Sequence, residues 1–316
     1  QMVRQSLEAQ LRNPLHAYHS RVRAVNYGGC YYFEQLSLEE FERVDPALAL
    51  AHHNMSWRNP GEFTLVLTGN VDRASLQPLL CRYLATLPPT SIPPPKPVKE
   101  VTPLPYSFPE TPVVEDVKVS MVSPVAQAQI TFPVRLPRPS AREELVWLSL
   151  VCRAVETRLL QRMRFVAGDV YTVSVSPFFG CVAPSLDGDP QGDIAIAFSC
   201  DPANKERLVG LVMQEIAVLQ STDLSTAEVE TLVNLDRLQF EEGLAENSYW
   251  HEVIVSAYQS KSYQLLGGDL GAVYGKSMEA REKVLSACTP ASMREAMRRI
   301  FPLPPTSRYT AISMLP

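Results

Sequence analysis

A chain of 316 residues, 46% hydrophobic and 20% charged, is long enough to bury a sizeable core and suits about two soluble domains. Its formal net charge of -5 sets it apart from proteins that track a phosphate backbone with a basic stripe, so nucleic acid is not an expected partner. No apolar run nears the roughly 20 residues that cross a bilayer. No charged-then-apolar leader opens the sequence, so neither a membrane partner nor an address is read from it.

Gln1 already lies in a helical pattern, so the sequence reads as a piece of something longer. Asn13-Pro14 and Asp45-Pro46 each set a capping side chain before a proline at the first helical position, and Ser37 with Glu40 forms a capping box. Three helices are expected there. In EFTLVLTG (Glu62 to Gly69), Phe63, Leu65 and Leu67 alternate with Thr64, Val66 and Thr68, which predicts a largely buried strand. A helix follows over Arg73 to Leu84, with Leu76, Leu79, Leu80 and Tyr83 on one side.

Of 27 prolines, a dense cluster falls between Pro88 and Pro112. Proline donates no backbone hydrogen bond, so such a segment behaves as a stiff extended spacer. The other reading is a ligand for a proline-recognising domain. As a spacer it divides the chain into 1–93, a linker over 94–115, and 116–316.

Beyond the linker, Val113 to Met121 and Ala126 to Val134 read as strands, and Ser140 with Glu143 reads as the cap of a long helix. Leu145, Leu148, Cys152, Val155, Leu159 and Met163 keep helical spacing along it. Strands over Val170 to Phe178 and Asp193 to Cys200 form an expected hairpin. Asp201-Pro202, Ser225 with Glu228, and Thr289-Pro290 start further helices, and Tyr309 to Leu315 ends the chain as a strand. The expected class is α+β: a mostly antiparallel sheet with helices on one face. FTLVLTG and YTAISML hint at a repeated ending in the two parts.

The six cysteines lie far apart with no Cys-x-x-Cys, and they read as buried thiols in a reducing compartment, cytosol or organelle interior.

The run FTLVLTGNVDRASLQPLLCRYLATLPP resembles the strand, turn, helix and Leu-Pro exit of the pitrilysin/insulinase-like zinc peptidases. NSYWHEVIVSAYQS and RNPLHAYHSRVRAVNYG are most similar to the bacterial pyrroloquinoline-quinone-associated zinc proteases and their plant relatives. Members that cut peptides carry His-x-x-Glu-His on a helix, because two histidines one turn apart share a face and the glutamate can deprotonate a metal-bound water. The five histidines here, His16, His19, His52, His53 and His251, do not form it, and His251-Glu252 is followed by Val255 where a His-Glu-x-x-His pattern needs its second histidine. The resemblance therefore implies a non-catalytic C-terminal half, with no catalytic or metal residue of its own. It also implies an incomplete first domain, and zinc supplied in the complete enzyme by an N-terminal catalytic half or a separate catalytic subunit. The alternative is an inactive scaffold or a non-catalytic partner subunit.

The same resemblance assigns Arg164 and Tyr171 to the peptide substrate, the arginine at the end of a helix and the tyrosine in the next strand. A guanidinium offers a rigid fork of donors to peptide carbonyls, and a phenol can donate to an oxygen that gains charge. Read from the residues alone, Arg164 is also a helix C-terminal cation and Tyr171 a packing aromatic. Several other groups have bland readings. Arg153, Arg158 and Arg162 with Arg164 make a solvated basic face. Asp187 to Asp193 reads as an acidic hairpin turn and not a calcium loop. Glu241, Glu242 and Glu246 hold no metal, and Tyr249, Trp250, Tyr258 and Tyr263 pack a core.

Overall fold

The computed structural model describes residues 2–57, 59–87, 107–121, 124–137, 140–166, 170–179, 191–259 and 262–316. The first helices are α1 (Met2–Leu11), α2 (Pro14–Asn26), α3 (Leu38–Glu42) and α4 (Pro46–Ser56), and a 3-10 turn over Tyr31–Phe33 sits between the second and third. The starts of α2, α3 and α4 are the ones the caps foretell. Asn13 accepts from the Leu15 amide, Asp45 from Ala47 and Leu48, and Ser37 with Glu40 closes a full capping box. Helix α5 (Arg73–Tyr83) follows on an Asp72 cap.

The stretch between α4 and α5 departs from expectation. Residues 63–68 are not a strand, and Phe63, Leu65 and Leu67 are each about half exposed. A strand needs a ladder for its backbone amides and carbonyls, and among the described residues nothing pairs with this segment. The apolar side of α5 is only partly covered, with Leu79 and Tyr83 exposed and Leu76 and Leu80 half-buried, and among the described residues neither α4 nor α5 buries a residue.

Five strands form one sheet in the order β1-β5-β2-β4-β3. They are β1 (Val113–Lys118), β2 (Ala126–Arg135), β3 (Val170–Phe179), β4 (Gln191–Cys200) and β5 (Thr310–Leu315). All neighbours are antiparallel except β1 and β5, which run parallel from the pair Val113 and Thr310. Residues 94–106 of the expected linker lie outside the described residues, but Val113 to Glu115, its last three, belong to β1 because β5 offers them a ladder.

Helix α6 (Ala141–Leu159) runs on into a π-helical segment over Leu160–Val166, and α7 (Lys205–Ser221), α8 (Thr226–Leu244), α9 (Asn247–Gln259), α10 (Ser262–Leu265), α11 (Leu270–Ser286) and α12 (Pro290–Ile300) follow. The Ser140 cap is a second departure. Its ψ of 17° is not the extended backbone that an N-cap needs, and its hydroxyl donates to the Pro137 carbonyl instead of capping. The box at Ser225 and Glu228 forms and Thr289-Pro290 starts α12 as expected, and Thr289 adds a capping box with Ser292.

One face of the sheet carries the main core. Ala128, Ile130 and Phe132 of β2, Ile194 and Ile196 of β4, and Val173 and Val175 of β3 pack against Leu148, Val151, Val155 and Leu159 of α6 and against Leu208, Val212 and Ile216 of α7. Phe132 meets Phe301 edge-on, centroids 5.1 Å apart. Truncating a fully buried side chain such as Ile130 to alanine costs about 2 to 5 kcal/mol. The expected α+β class holds, and the structure adds a helix on the opposite face: Tyr18 and Val22 of α2 pack on Ile312 and Met314 of β5. Arg21 pairs with Glu115 of β1 at 2.6 Å.

Cys30, Cys152 and Cys200 are buried thiols, as expected, whereas Cys288 is half-buried and Cys81 is exposed on a helix that buries none of its described residues. Cys181 lies outside the described residues. Among the described residues no helix is long and apolar enough to cross a membrane.

Candidate functional site

The expected pair stands where the π-helical segment ending α6 packs on the beginning of β3. Arg164 lies in that segment and its side chain is exposed. A π-turn widens the helix at the cost of poorer hydrogen bonding, a trade often found at functional sites. Tyr171 is the second residue of β3, and its side chain lies outside the described residues. Its backbone sits in an irregularity. Val170 pairs with Cys200 and Val173 with Phe198, so Tyr171 and Thr172 together face the single residue Ser199. A bulge of this kind bends the strand and re-aims local geometry.

From there β3 carries Thr172, Ser174, Ser176 and Phe178 exposed on the face away from the main core. Gln127 and Gln129 of β2 line the same face, half-buried, with Gln129 Nε2 donating to Thr131 Oγ1 at 3.1 Å. Among the described residues the result is a sheet floor covered on the β5 and β1 side by α2, half-buried along β4 and exposed along β3.

The polar contact that seats α2 was missed in the sequence. Asn26 Nδ2 donates to Thr131 Oγ1 at 3.0 Å, Thr310 Oγ1 donates to Asn26 Oδ1 at 2.6 Å, and all three residues are buried. Also missed is an aromatic group at the far end of β3, where Tyr27 stacks on Phe33 and both meet Phe178. Tyr27 is held well above the usual phenol range, first by burial and then by the Asp193 carboxylate with which it hydrogen bonds. Neither set is contiguous in the chain, so the only sequence signal was a polar residue near an otherwise apolar strand or helix stripe.

The basic face of α6 is occupied internally. Arg153 donates to Gln239, Arg158 pairs with Glu228 at 2.8 Å, and Arg162 pairs with the buried Glu215 at 2.9 Å, tying α6 to α7 and α8. Trp250 Nε1 donates to the Leu244 carbonyl, and Tyr249 packs edge-on against Phe240, so the aromatic residues of α9 join helices to one another.

Among the described residues no three His, Cys, Asp or Glu side chains converge as metal ligands. His16 and His19 share α2, and His19 is pushed below its ordinary value by burial, then by Arg23 and His16, which disfavours its charged form. Asp187 to Pro190 of the expected acidic turn lie outside the described residues. Among the described residues, then, no donor set fits a zinc site.

The chain is similar to proteases throughout its length. It is 34% identical over 321 residues to a protein of Arabidopsis thaliana named zinc protease PQQL-like, and that alignment spans all of this chain and 33% of the relative. It thus covers about a third of the curated relative's length. The periplasmic protease PqqL from Escherichia coli superposes with a TM-score of 0.68 at 18% identity, over 99% of this chain and 32% of that one. A peptidase M16 inactive domain from Pseudomonas fluorescens superposes with a TM-score of 0.63 at 14% identity, over 98% of this chain and 68% of that one. These two likenesses concern the fold. The family model described as the Peptidase M16 inactive domain matches residues 49–235, more than half of the chain, and the protein belongs to the M16 peptidase family through that domain.

Proposed function

We propose that this chain is the non-catalytic half of an M16 zinc endopeptidase, that its open sheet face forms part of the wall of a peptide-holding chamber, and that Arg164 and Tyr171 anchor the substrate backbone. The reading is supported above all by the match to the inactive domain of a peptidase family, in a chain whose described residues bring no set of metal ligands together. It is supported further by Arg164, exposed on a π-turn beside a bulged strand at the edge of an open, polar sheet floor.

In this reading residues 1–93 belong to an incomplete domain and 116–316 to a complete one. The uncovered apolar side chains of 63–68 and α5 then meet a sheet supplied from elsewhere in a longer polypeptide, since large exposed apolar patches mark interaction surfaces. An N-terminal catalytic half, in the same polypeptide or a separate subunit, brings the metal site, and this chain contributes the donors that position peptide. No step of hydrolysis is routed through the histidines present here. A guanidinium at 164 and a phenol at 171 would act on peptide carbonyls, and donors aimed at a developing oxyanion are each worth about two to three decades in rate.

The test joins the chain to a catalytic half and compares peptide cleavage by Arg164→Ala and Tyr171→Phe with the parent. A drop in kcat/KM of about a hundredfold for either variant is expected. Unchanged kinetics in both would remove the anchoring role and leave an inactive scaffold as the better account.

A further inference from the structure

Phe178 ends the open face of β3 that begins at the bulge beside Arg164. Its ring meets Tyr27 at 6.0 Å and Phe33 at 6.3 Å, and those two stack with centroids 4.1 Å apart. The group is held rigidly. Tyr27 hydrogen bonds to Asp193, which is 2% exposed and is the ladder partner of Phe178. Gly192 lies against the same strand so closely that an added Cβ would stand 2.1 Å from the Phe178 carbonyl oxygen, so the lack of a side chain there is what lets β4 approach β3.

The wall nevertheless leaves much aromatic surface bare: Phe178 is 42% exposed, Tyr31 73% and Tyr32 71%. Between it and the bulge, β3 shows Thr172, Ser174 and Ser176, small hydroxyl side chains that satisfy a polar backbone without selecting a side chain. Among the described residues β3 has a neighbour on one side only. An extended peptide can lie along such an edge, its main chain supplying affinity and pockets for its side chains supplying specificity. Seven strand steps separate Tyr171 from Phe178, about 23 Å at about 3.3 Å per residue.

We propose that the Tyr27, Phe33 and Phe178 wall, with Tyr31 and Tyr32 at its rim, is a specificity subsite for a bulky apolar or aromatic side chain of an extended peptide. That side chain lies about six or seven residues along the peptide from the segment held at Arg164 and Tyr171. This rests on the peptide-anchoring reading above. The substrate class is then an extended peptide long enough to reach both ends of β3 and carrying a hydrophobic residue at the far end.

The test measures binding of fluorescein-labelled dodecapeptides of serine and alanine by anisotropy, with a metal chelator present to prevent cleavage. Phenylalanine is placed at each position in turn and compared with the peptide lacking it. One position, or two neighbouring ones, should bind about tenfold tighter, the gain expected from covering one aromatic side chain. That preference should fall to near unity in Phe178→Ala and weaken in Tyr32→Ala, whose exposed side chain can be removed with no loss of fold. Arg164→Ala should weaken every peptide by a common factor. A preference that survives both aromatic variants, or a flat phenylalanine scan, overturns the subsite. So does concentration-dependent dimerisation abolished by Phe178→Ala in a protein that shows no peptide preference, because the wall would then cover a second copy. Loss of preference in Phe178→Ala with no effect of Arg164→Ala keeps the subsite and sinks the anchoring, and the reverse pattern does the converse.

Discussion

Thr310 on β5 donates its hydroxyl to Asn26 Oδ1 on α2 at 2.6 Å, joining two residues 284 positions apart beneath a fully buried surface. Asn26 passes the connection on to Thr131 of β2, so one amide side chain fastens the helix to two adjacent strands. Helix α2 is thereby part of the sheet's second face, although it lies far upstream of the proline cluster.

Asn26→Ala should destabilise the protein by about 2 kcal/mol, because a buried group that loses its partner pays its desolvation without return. Adding Thr310→Val to that variant should recover part of the loss, since the orphaned hydroxyl is removed with it. Urea denaturation of the two single variants and the double variant measures the coupling. Strict additivity would mean the contact contributes nothing to the docking of α2.

The Lys205 ammonium at the start of α7 is nearly buried and donates to both carboxylate oxygens of Asp116 on β1, at 2.8 and 3.0 Å. Removing the acid strands a buried cation, whereas removing the lysine leaves a carboxylate that solvent can reach. Asp116→Ala should therefore cost about 2 kcal/mol and Lys205→Met about 1 kcal/mol or less. Equal losses in chemical denaturation would show that burial of Lys205 is not what decides the asymmetry.

Glu156 on α6 is held above the usual carboxylate range, chiefly by burial and against the pull of Arg153. A carboxyl with a raised folded value binds its proton more tightly in the folded state. Wild-type stability therefore falls as pH rises through the interval between the unfolded and folded values. Glu156→Gln should raise the melting temperature at about pH 8 and lose that advantage at about pH 3, where both states carry the proton. A gain of equal size at both pH values would assign the effect to packing and not to ionisation.

Local signals in the sequence carried far. Asn13, Asp45, Ser225 and Thr289 cap helices because a cap involves a side chain and amides within four residues of it. Ser140 fails for a reason invisible at that range, since the backbone leading into α6 is not extended there and the hydroxyl finds Pro137 first. The segment 63–68 has the alternation of a strand but no partner among the described residues, and alternation alone states only which side chains share a face. The resemblance that singled out Arg164 and Tyr171 rested on a helix leading directly into a strand. The π-helical segment ends at Val166 and β3 begins at Val170, with a π-turn and a bulge that no spacing rule foretells.

The chain by itself determined its helices, its hairpin, its α+β class, and the lack of a second histidine one turn from His251, because propensity, capping and side-chain periodicity act over a few residues. Only the tertiary structure decided that β1 lies parallel to β5, that α2 packs on the sheet's second face over β5 and β1, and that Phe178 joins Tyr27 and Phe33 at the far end of β3. Those arrangements are set by which apolar faces and buried polar groups find complementary partners across long separations, and that balance is struck among all the elements at once.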